Sequence, residues 1–205
     1  MPAEEEEMDD VEEFVEDKEP IATVDAIYRT GKVYLDDTPT AQILHDKAYF
    51  GTKVSGNRLE LECLEAILLQ ERKRINIYTE SHELITKEKL FELAAHTDDR
   101  VWVKYLVYRD LRQRGYIVRM GYGDGIDFRV YPRGSAREED IAKFFIFILP
   151  EGDPVRLDIL DRITRQTVQA RKELILAIID RLGDPTYYEL EQFRLLTNDK
   201  LNAQW

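Results

Sequence analysis

Two residues in the C-terminal half have side chains suited to chemistry on a phosphodiester. Tyr131 ends a predicted strand, Ile126–Tyr131, and Lys172 stands in Arg171-Lys172-Glu173, just ahead of the predicted strand Leu174–Asp180. A tyrosine and a lysine converging at sheet ends can divide such work: the phenol takes a proton while the ammonium offsets charge building on the phosphate oxygens. Spacing alone leaves the matter open, because tyrosines at strand ends and lysines before strands are commonplace. The glycine-rich run Gly121-Tyr122-Gly123-Asp124-Gly125 is no nucleotide loop. It lacks the GxGxxG spacing and the Lys-Ser/Thr pair and leads into a strand, so it reads as a hairpin turn. His45, His82 and His96 are scattered through the first half without metal-ligand spacing and read as surface or capping histidines. No metal or cofactor is expected.

The elements that must position Tyr131 and Lys172 follow from periodicity and punctuation. In the second half, Thr97-Asp98-Asp99 caps a predicted helix over Arg100–Arg114, which Gly115 stops. Strands follow at Tyr116–Met120, Ile126–Tyr131 and Ala142–Leu149, then a helix from Val155 to Gln166 or beyond. The run Leu174–Asp180, apolar on both faces, is expected to be a central strand. Thr186–Phe193 closes the sheet after the turn Gly183-Asp184-Pro185. In the first half, Ile21–Tyr28 and Lys32–Leu35 flank Thr30-Gly31 and predict a hairpin. Arg58–Arg74 has Leu61, Leu64 and Leu68 at helical spacing, flanked by Ala66 and Ile67, and predicts a helix with Arg72, Lys73 and Arg74 in its last turn. Ile75–Tyr78 reads as a strand, and Thr86 caps a helix running through Ala95.

Charge is unevenly distributed. Residues 1–20 hold eleven acids against Lys18 alone, a net of −10, so the remaining 185 residues carry only −2 of the total −12. Such a block repels itself and is expected to be a disordered, solubilising tail. The near-neutral body predicts only modest non-specific RNA binding, with Arg112, Arg114, Arg133 and Arg137 as candidate phosphate contacts. The single Cys63 excludes an intramolecular disulfide and a cysteine-based zinc site, which fits a reducing cytoplasm. The N-terminus has no signal pattern, and the longest apolar run, Phe144–Pro150, is too short to span a bilayer. The expectation is a soluble cytoplasmic α/β (α+β) chain with the tail over 1–20, a small N-terminal α/β domain over 21–97 and a mixed-sheet C-terminal domain with flanking helices over 98–205.

Several stretches resemble the archaeal tRNA-splicing endonucleases (tRNA-intron lyases). They are Tyr105-Leu106-Val107-Tyr108-Arg109-Asp110-Leu111-Arg112, Arg114-Gly115-Tyr116-Ile117-Val118, Asp127-Phe128-Arg129-Val130-Tyr131, Arg171-Lys172-Glu173-Leu174 and Ala177-Ile178-Ile179-Asp180. The first half resembles the family's N-terminal domain through Ala48-Tyr49-Phe50-Gly51 and Arg58-Leu59-Glu60-Leu61. The resemblance implies a nuclease-like C-terminal domain and metal-free RNA cleavage by a Tyr–His–Lys triad. The tyrosine helps deprotonate a 2′-hydroxyl, the histidine protonates the leaving 5′-oxygen and the lysine stabilises the transition state. A 2′,3′-cyclic phosphate and a 5′-hydroxyl result.

Tyr131 and Lys172 match two of the three positions. The third, counted through from Tyr131, falls at Ile141, which cannot donate a proton. Losing a general acid typically costs about 10²–10⁴ in rate. The neighbouring Asp140 and Glu139 substitute only if a strongly raised pKa keeps one of them protonated. The resemblance also implies roles for Glu151 and Asp153, in a loop that in the family inserts into a neighbouring subunit, and for Arg165, where family members carry an arginine that stacks on an RNA bulge base. Thr186–Phe193 would supply an edge strand for a subunit contact. The expected role is therefore a structural subunit that needs a catalytic paralogue, in a hetero-oligomer, expected as a tetramer, acting on pre-tRNA. The rivals are a self-sufficient divergent endonuclease and an RNA-binding module that has left splicing.

Overall fold

The computed structural model describes residues 22–123, 125–132 and 141–191. The acidic segment, Arg133, Arg137, Glu139, Asp140 and Phe193 lie outside the described residues. The chain divides between Ala94 and Ala95 into two compact units.

The first unit is built on a six-stranded mixed sheet. Strands β1 (Val24–Arg29) and β2 (Lys32–Leu35) form the predicted hairpin. Its two-residue turn places both Thr30 and Gly31 at positive φ (46° and 83°), the mirror-image turn whose twist matches that of the strands. β3 (Thr52–Lys53), β4 (Leu59–Leu61), β5 (Ile75–Tyr78) and β6 (Leu84–Ile85) complete the order β3-β4-β2-β1-β5-β6, with β1 and β5 parallel and all other pairs antiparallel.

The helix expected over Arg58–Arg74 is shorter: α2 covers Cys63–Glu71 only. Its first residues are a strand because Leu59 and Leu61 alternate inward against Leu35 and Val33 of β2. Glu62 and Glu65 then form a capping box that starts the helix. At the other end, Arg72 is the cap and Lys73 takes a left-handed conformation, with Lys73 N–H bonded to Gln70 O and Arg74 N–H to Leu69 O. This Schellman end places the basic triplet after the last turn rather than in it. A helix absent from the sequence reading, α1 (Pro39–Asp46), starts where Thr38 Oγ1 accepts from Ala41 N–H and Pro39 occupies the first position. α3 (Lys87–Ala95) begins on Thr86, as expected.

Gly51 sits at φ +66° in the chain between α1 and β3. A Cβ there would lie 2.6 Å from Glu60 O and 2.7 Å from Leu59 Cδ1, so only glycine fits. The buried Glu65 carboxylate accepts from both Gly51 N–H and Glu62 N–H. Cys63 donates to Gly31 O, and burial pushes its thiol pKa up to about 11, so it is held as an unreactive thiol.

The second unit is a five-stranded sheet in the order β11-β10-β9-β8-β7, with β7 at Ile117–Gly123, β8 at Ile126–Tyr131, β9 at Phe144–Pro150, β10 at Glu173–Ile179 and β11 at Pro185–Leu190. β9 and β10 run parallel, bridged by the crossover helix α5 (Leu157–Gln169), and the remaining pairs are antiparallel. β10 is interior but not central. β9 holds that place, and Ile175, Leu176 and Ile178 of β10 stay partly exposed.

α4 (Val101–Gln113) packs on one face of this sheet, with Tyr108 against Phe128, and α5 on the other, with Leu160 and Ile163 in one cluster with Phe145, Phe147 and Leu174. The start of α4 is tied down by the buried Asp127. Its carboxylate accepts from Ile148 N–H (2.8 Å) and from Arg100 Nη1 (3.2 Å), and it lies 3.6 Å from Lys104 Nζ. Asp98 caps the same end by accepting from Arg100 N–H and Lys104 Nζ. Burial raises its pKa, but these hydrogen bonds and the two cations outweigh burial and hold it below the usual carboxylate value. Gly115, at φ 85°, ends α4 with a second Schellman pair, Gly115 N–H to Arg112 O and Tyr116 N–H to Leu111 O.

Candidate functional site

Tyr131 and Lys172 lie at the same end of the second sheet, and the strand ladder shows how. Val130 pairs with Phe144, and Phe144 with Glu173. Lys143 N–H donates to Val130 O and Glu173 N–H donates to Lys143 O, carrying the ladder one residue further. Tyr131, Lys143 and Lys172 therefore end three adjacent strands. Two interstrand gaps of about 4.8 Å put the Tyr131 and Lys172 backbones roughly 10 Å apart, a span that both side chains can close on a shared phosphate.

Each residue is set by its element. Tyr131 is half-buried and packs against the α5-facing cluster. Lys172 is placed by the end of α5. Ala170 is the cap, Arg171 turns left-handed (φ 54°), Arg171 N–H bonds Val168 O and Lys172 N–H bonds Thr167 O. A non-glycine residue in that conformation is uncommon, and the paired hydrogen bonds hold it there.

Ile141 is 75% exposed, ahead of the buried Ala142 that enters the cluster. Lys143, which the sequence reading did not single out, occupies the strand end between Tyr131 and Lys172. Its ammonium is 3.5 Å from the Glu173 carboxylate and 4.8 Å from the Phe144 ring centroid. Only the register, not the spacing in sequence, reveals it. Arg165 is exposed on α5 and bridged to Asp161 at i,i−4 (2.9 Å), an exchangeable surface pair.

The acidic turn sits at the other end of the sheet, where β9 and β10 finish. Glu151 N–H donates to Ile179 O and Asp153 N–H to Pro150 O, with Gly152 at φ 89° between them, so both carboxylates are held outward and exposed. Beside the turn is a recess of about 310 Å³ lined by Trp102, Leu106, Pro150, Ile179 and Leu182. Trp102 and Leu182 are themselves exposed. β11 is an edge strand, and Tyr188 is exposed on it.

Two of the arginines expected to meet phosphate are placed for other work. Arg112 is 1% exposed, with Nη1 donating to Tyr116 O, so it supports the end of α4 and cannot reach a ligand. Arg114 pairs with Asp110 (2.8 Å) and lies over the Tyr187 ring. His45 Nδ1 lies 3.3 Å from Phe50 O, in keeping with a structural histidine. Among the described residues no cluster of His, Cys, Asp or Glu could hold a metal ion, and no helix is long and apolar enough to cross a membrane.

Two halves of one known domain pair match this architecture. Residues 24–91 match the family described as tRNA intron endonuclease, N-terminal domain, and residues 101–187 match tRNA intron endonuclease, catalytic C-terminal domain. The chain is 36% identical over 163 residues to a tRNA-splicing endonuclease of Thermococcus gammatolerans, covering 80% of this chain and 94% of that protein. It is 30% identical over 176 residues to one of Methanococcus maripaludis, covering 86% and 98%. A tRNA-splicing endonuclease of Methanosarcina mazei is 36% identical over 148 residues, 72% of this chain but 40% of that protein. The chain belongs to the tRNA-splicing endonuclease family.

Proposed function

We propose that this chain is the non-catalytic subunit of a heteromeric tRNA-splicing endonuclease that excises introns from pre-tRNA at bulge-helix-bulge sites. The carrying observation is Ile141: the position expected to hold the proton donor bears a solvent-exposed isoleucine, while Tyr131 and Lys172 keep their places at the same sheet end. A phenol and an ammonium so placed can still bind a phosphodiester and bias it toward attack by the 2′-hydroxyl. Without an acid the 5′-oxygen leaves unprotonated, and cleavage slows by orders of magnitude. The 2′,3′-cyclic phosphate and 5′-hydroxyl ends are then made on the paralogous subunit, which carries its own histidine.

The far end of the sheet supports the assembly half of this reading. Glu151 and Asp153 project from a tight turn beside a recess that holds the exposed Trp102 and Leu182 and is edged by Asp180 and Arg181, an apolar patch with a charged rim of the kind that seats a partner. Among the described residues β11 is an edge strand and offers a second contact, and a tetramer in the cytoplasm is the proposed assembly.

Reconstitution tests this. The purified chain, its histidine-bearing paralogue and their mixture are each incubated with an intron-containing pre-tRNA, and the ends are analysed. The mixture cleaves; its rate is unchanged by Tyr131→Phe in this chain and lost on Asp153→Ala. Cleavage by the chain alone, abolished by Tyr131→Phe, would establish a self-sufficient enzyme instead. Failure to form a complex with any paralogue would leave an RNA-binding module.

A further inference from the structure

Past the last turn of α4 the second sheet keeps an apolar groove of about 300 Å³. Its floor is Phe144 and Ile146 of β9 with Ile175 of β10, where Ile146 and Ile175 are ladder partners. Leu111 and Tyr116 wall it on the α4 side and Tyr187 on the β11 side. The Tyr187 wall is fixed in place, because its hydroxyl donates to Asp110 Oδ2 (2.7 Å) and the Arg114 guanidinium lies over its ring (5.6 Å). Phe144 and Ile175 stay partly exposed, so among the described residues the floor is not fully covered. Apolar surface of this kind gains free energy when another apolar group displaces its water.

The path of the chain after β11 supplies the occupant. Leu190 pairs with Leu174, so the chain leaves β11 one step from Glu173, and Glu173 in turn pairs with Phe144. Two interstrand gaps separate that exit from Phe144, roughly 10 Å. About three extended residues span this distance. Residues 192–205 follow the exit and carry Phe193, Leu195 and Leu196 in their first turn of sequence. These three side chains are therefore tethered at the distance from which they reach Ile175 and Phe144. Phe193 and Leu195 also share the strand parity of Tyr187, whose ring lines the groove, and parity favours this face over the α5 face.

We infer that residues 193–196 fold back across the end of β10 and seat Phe193, Leu195 and Leu196 in this groove, as a cover supplied by the chain itself. The tether is short, so the effective concentration of the segment at the groove is high, and a contact too small to hold a separate molecule suffices. A separate occupant would have to displace it. The inference is independent of the subunit role proposed above. It leaves open the α5 face, on which Tyr131 packs.

The test uses the full chain with methyl-labelled Ile and Leu, in a Cys63→Ala background, carrying a nitroxide on Thr197→Cys. The expected result is strong paramagnetic broadening of the Ile146 and Ile175 methyls, with Leu174 and Ile163 of the α5 face broadened less. Adding Leu195→Asp and Leu196→Asp removes the groove broadening and lowers the Tm by roughly 5 °C. Leu195→Met with Leu196→Met keeps both. Because the parent reads out the contact without altering the three anchors, an aspartate variant that fails to fold does not decide the outcome. Broadening that is absent from the groove methyls of the folded parent overturns the inference, as does broadening that favours Leu174 over Ile175. A mixture of nitroxide-bearing unlabelled chain with nitroxide-free labelled chain identifies the donor of the segment. Groove broadening in that mixture equal to that in the parent would assign the groove to a second copy and overturn the intramolecular cover. Groove methyls that are unbroadened in the parent and shift only when the paralogue or an RNA is added would assign it to that partner instead.

Discussion

At the scale of single residues, Ile141 is the most informative position. Its side chain is exposed, so replacing it costs little stability, within about 0.5 kcal/mol by the usual behaviour of surface sites. Ile141→His therefore tests whether Tyr131 and Lys172 remain competent. The expected outcome is that the variant chain cleaves pre-tRNA at a rate raised about 10²–10⁴-fold over wild type, measured in single turnover, and that Tyr131→Phe in the same background removes the gain. No gain in a well-folded variant would mean the remaining pair has drifted from a working geometry. Tyr131 and Lys172 stand out in the sequence through the family resemblance, since residue type and local pattern alone leave them open. Lys143, between them, does not, because its place depends on the β8–β9–β10 register, which no local pattern encodes. Arg112 misled for a related reason: an arginine near a helix end suggests surface charge, yet this one is 1% exposed and its guanidinium serves the Tyr116 carbonyl.

At the scale of elements, local punctuation is legible in the sequence and strand pairing is not. The Thr30-Gly31 hairpin, the Thr86 cap and the Gly115 stop were all visible as short signals. The strand Leu59–Leu61 was not, because the leucines beyond Leu61 carry a helical period that masks two residues of alternation, and only β2 resolves the ambiguity. Thr38-Pro39 carries a local helix-start signal of the same kind, ahead of α1. Anchoring of β11 to α4 gives a prediction of its own. Tyr187 Oη donates to Asp110 Oδ2 at 2.7 Å, and burial first, then this bond and the Asp110 charge, push the phenol well above its ordinary pKa. Tyr187→Phe should cost about 1–2 kcal/mol at neutral pH, the worth of a hydrogen bond to a charged partner discounted for partial exposure. The folded-state pKa is raised, so this contribution is complete below about pH 10, the unfolded value, and falls as pH rises beyond it. Thermal melts should accordingly show wild type losing more stability than Tyr187→Phe between neutral pH and the alkaline side of pH 10. Parallel curves would exclude the Asp110 bond as the cause.

At the scale of the whole molecule, charge is concentrated in sequence rather than spread. Deleting residues 1–20 takes the net charge from −12 to −2. If the segment competes with RNA for cationic surface, the truncated chain should bind RNA several-fold more tightly at low salt, and the difference should vanish near 1 M, where the Debye length is about 3 Å. Equal binding at low salt would leave only a solubilising role.

The second sheet also separates two things by its length. Tyr131 and Lys172 are at one end, and the Glu151–Asp153 turn is at the other, six residue steps along β9, or roughly 20 Å. The backbone hydrogen bonds that hold the two ends, Lys143 N–H to Val130 O at one and Glu151 N–H to Ile179 O at the other, share no residue. If the proposed subunit role holds, the distance between the two ends means that a change at position 141 and a change in the Glu151–Asp153 turn act on different properties of the chain, so chemistry and assembly are open to separate alteration.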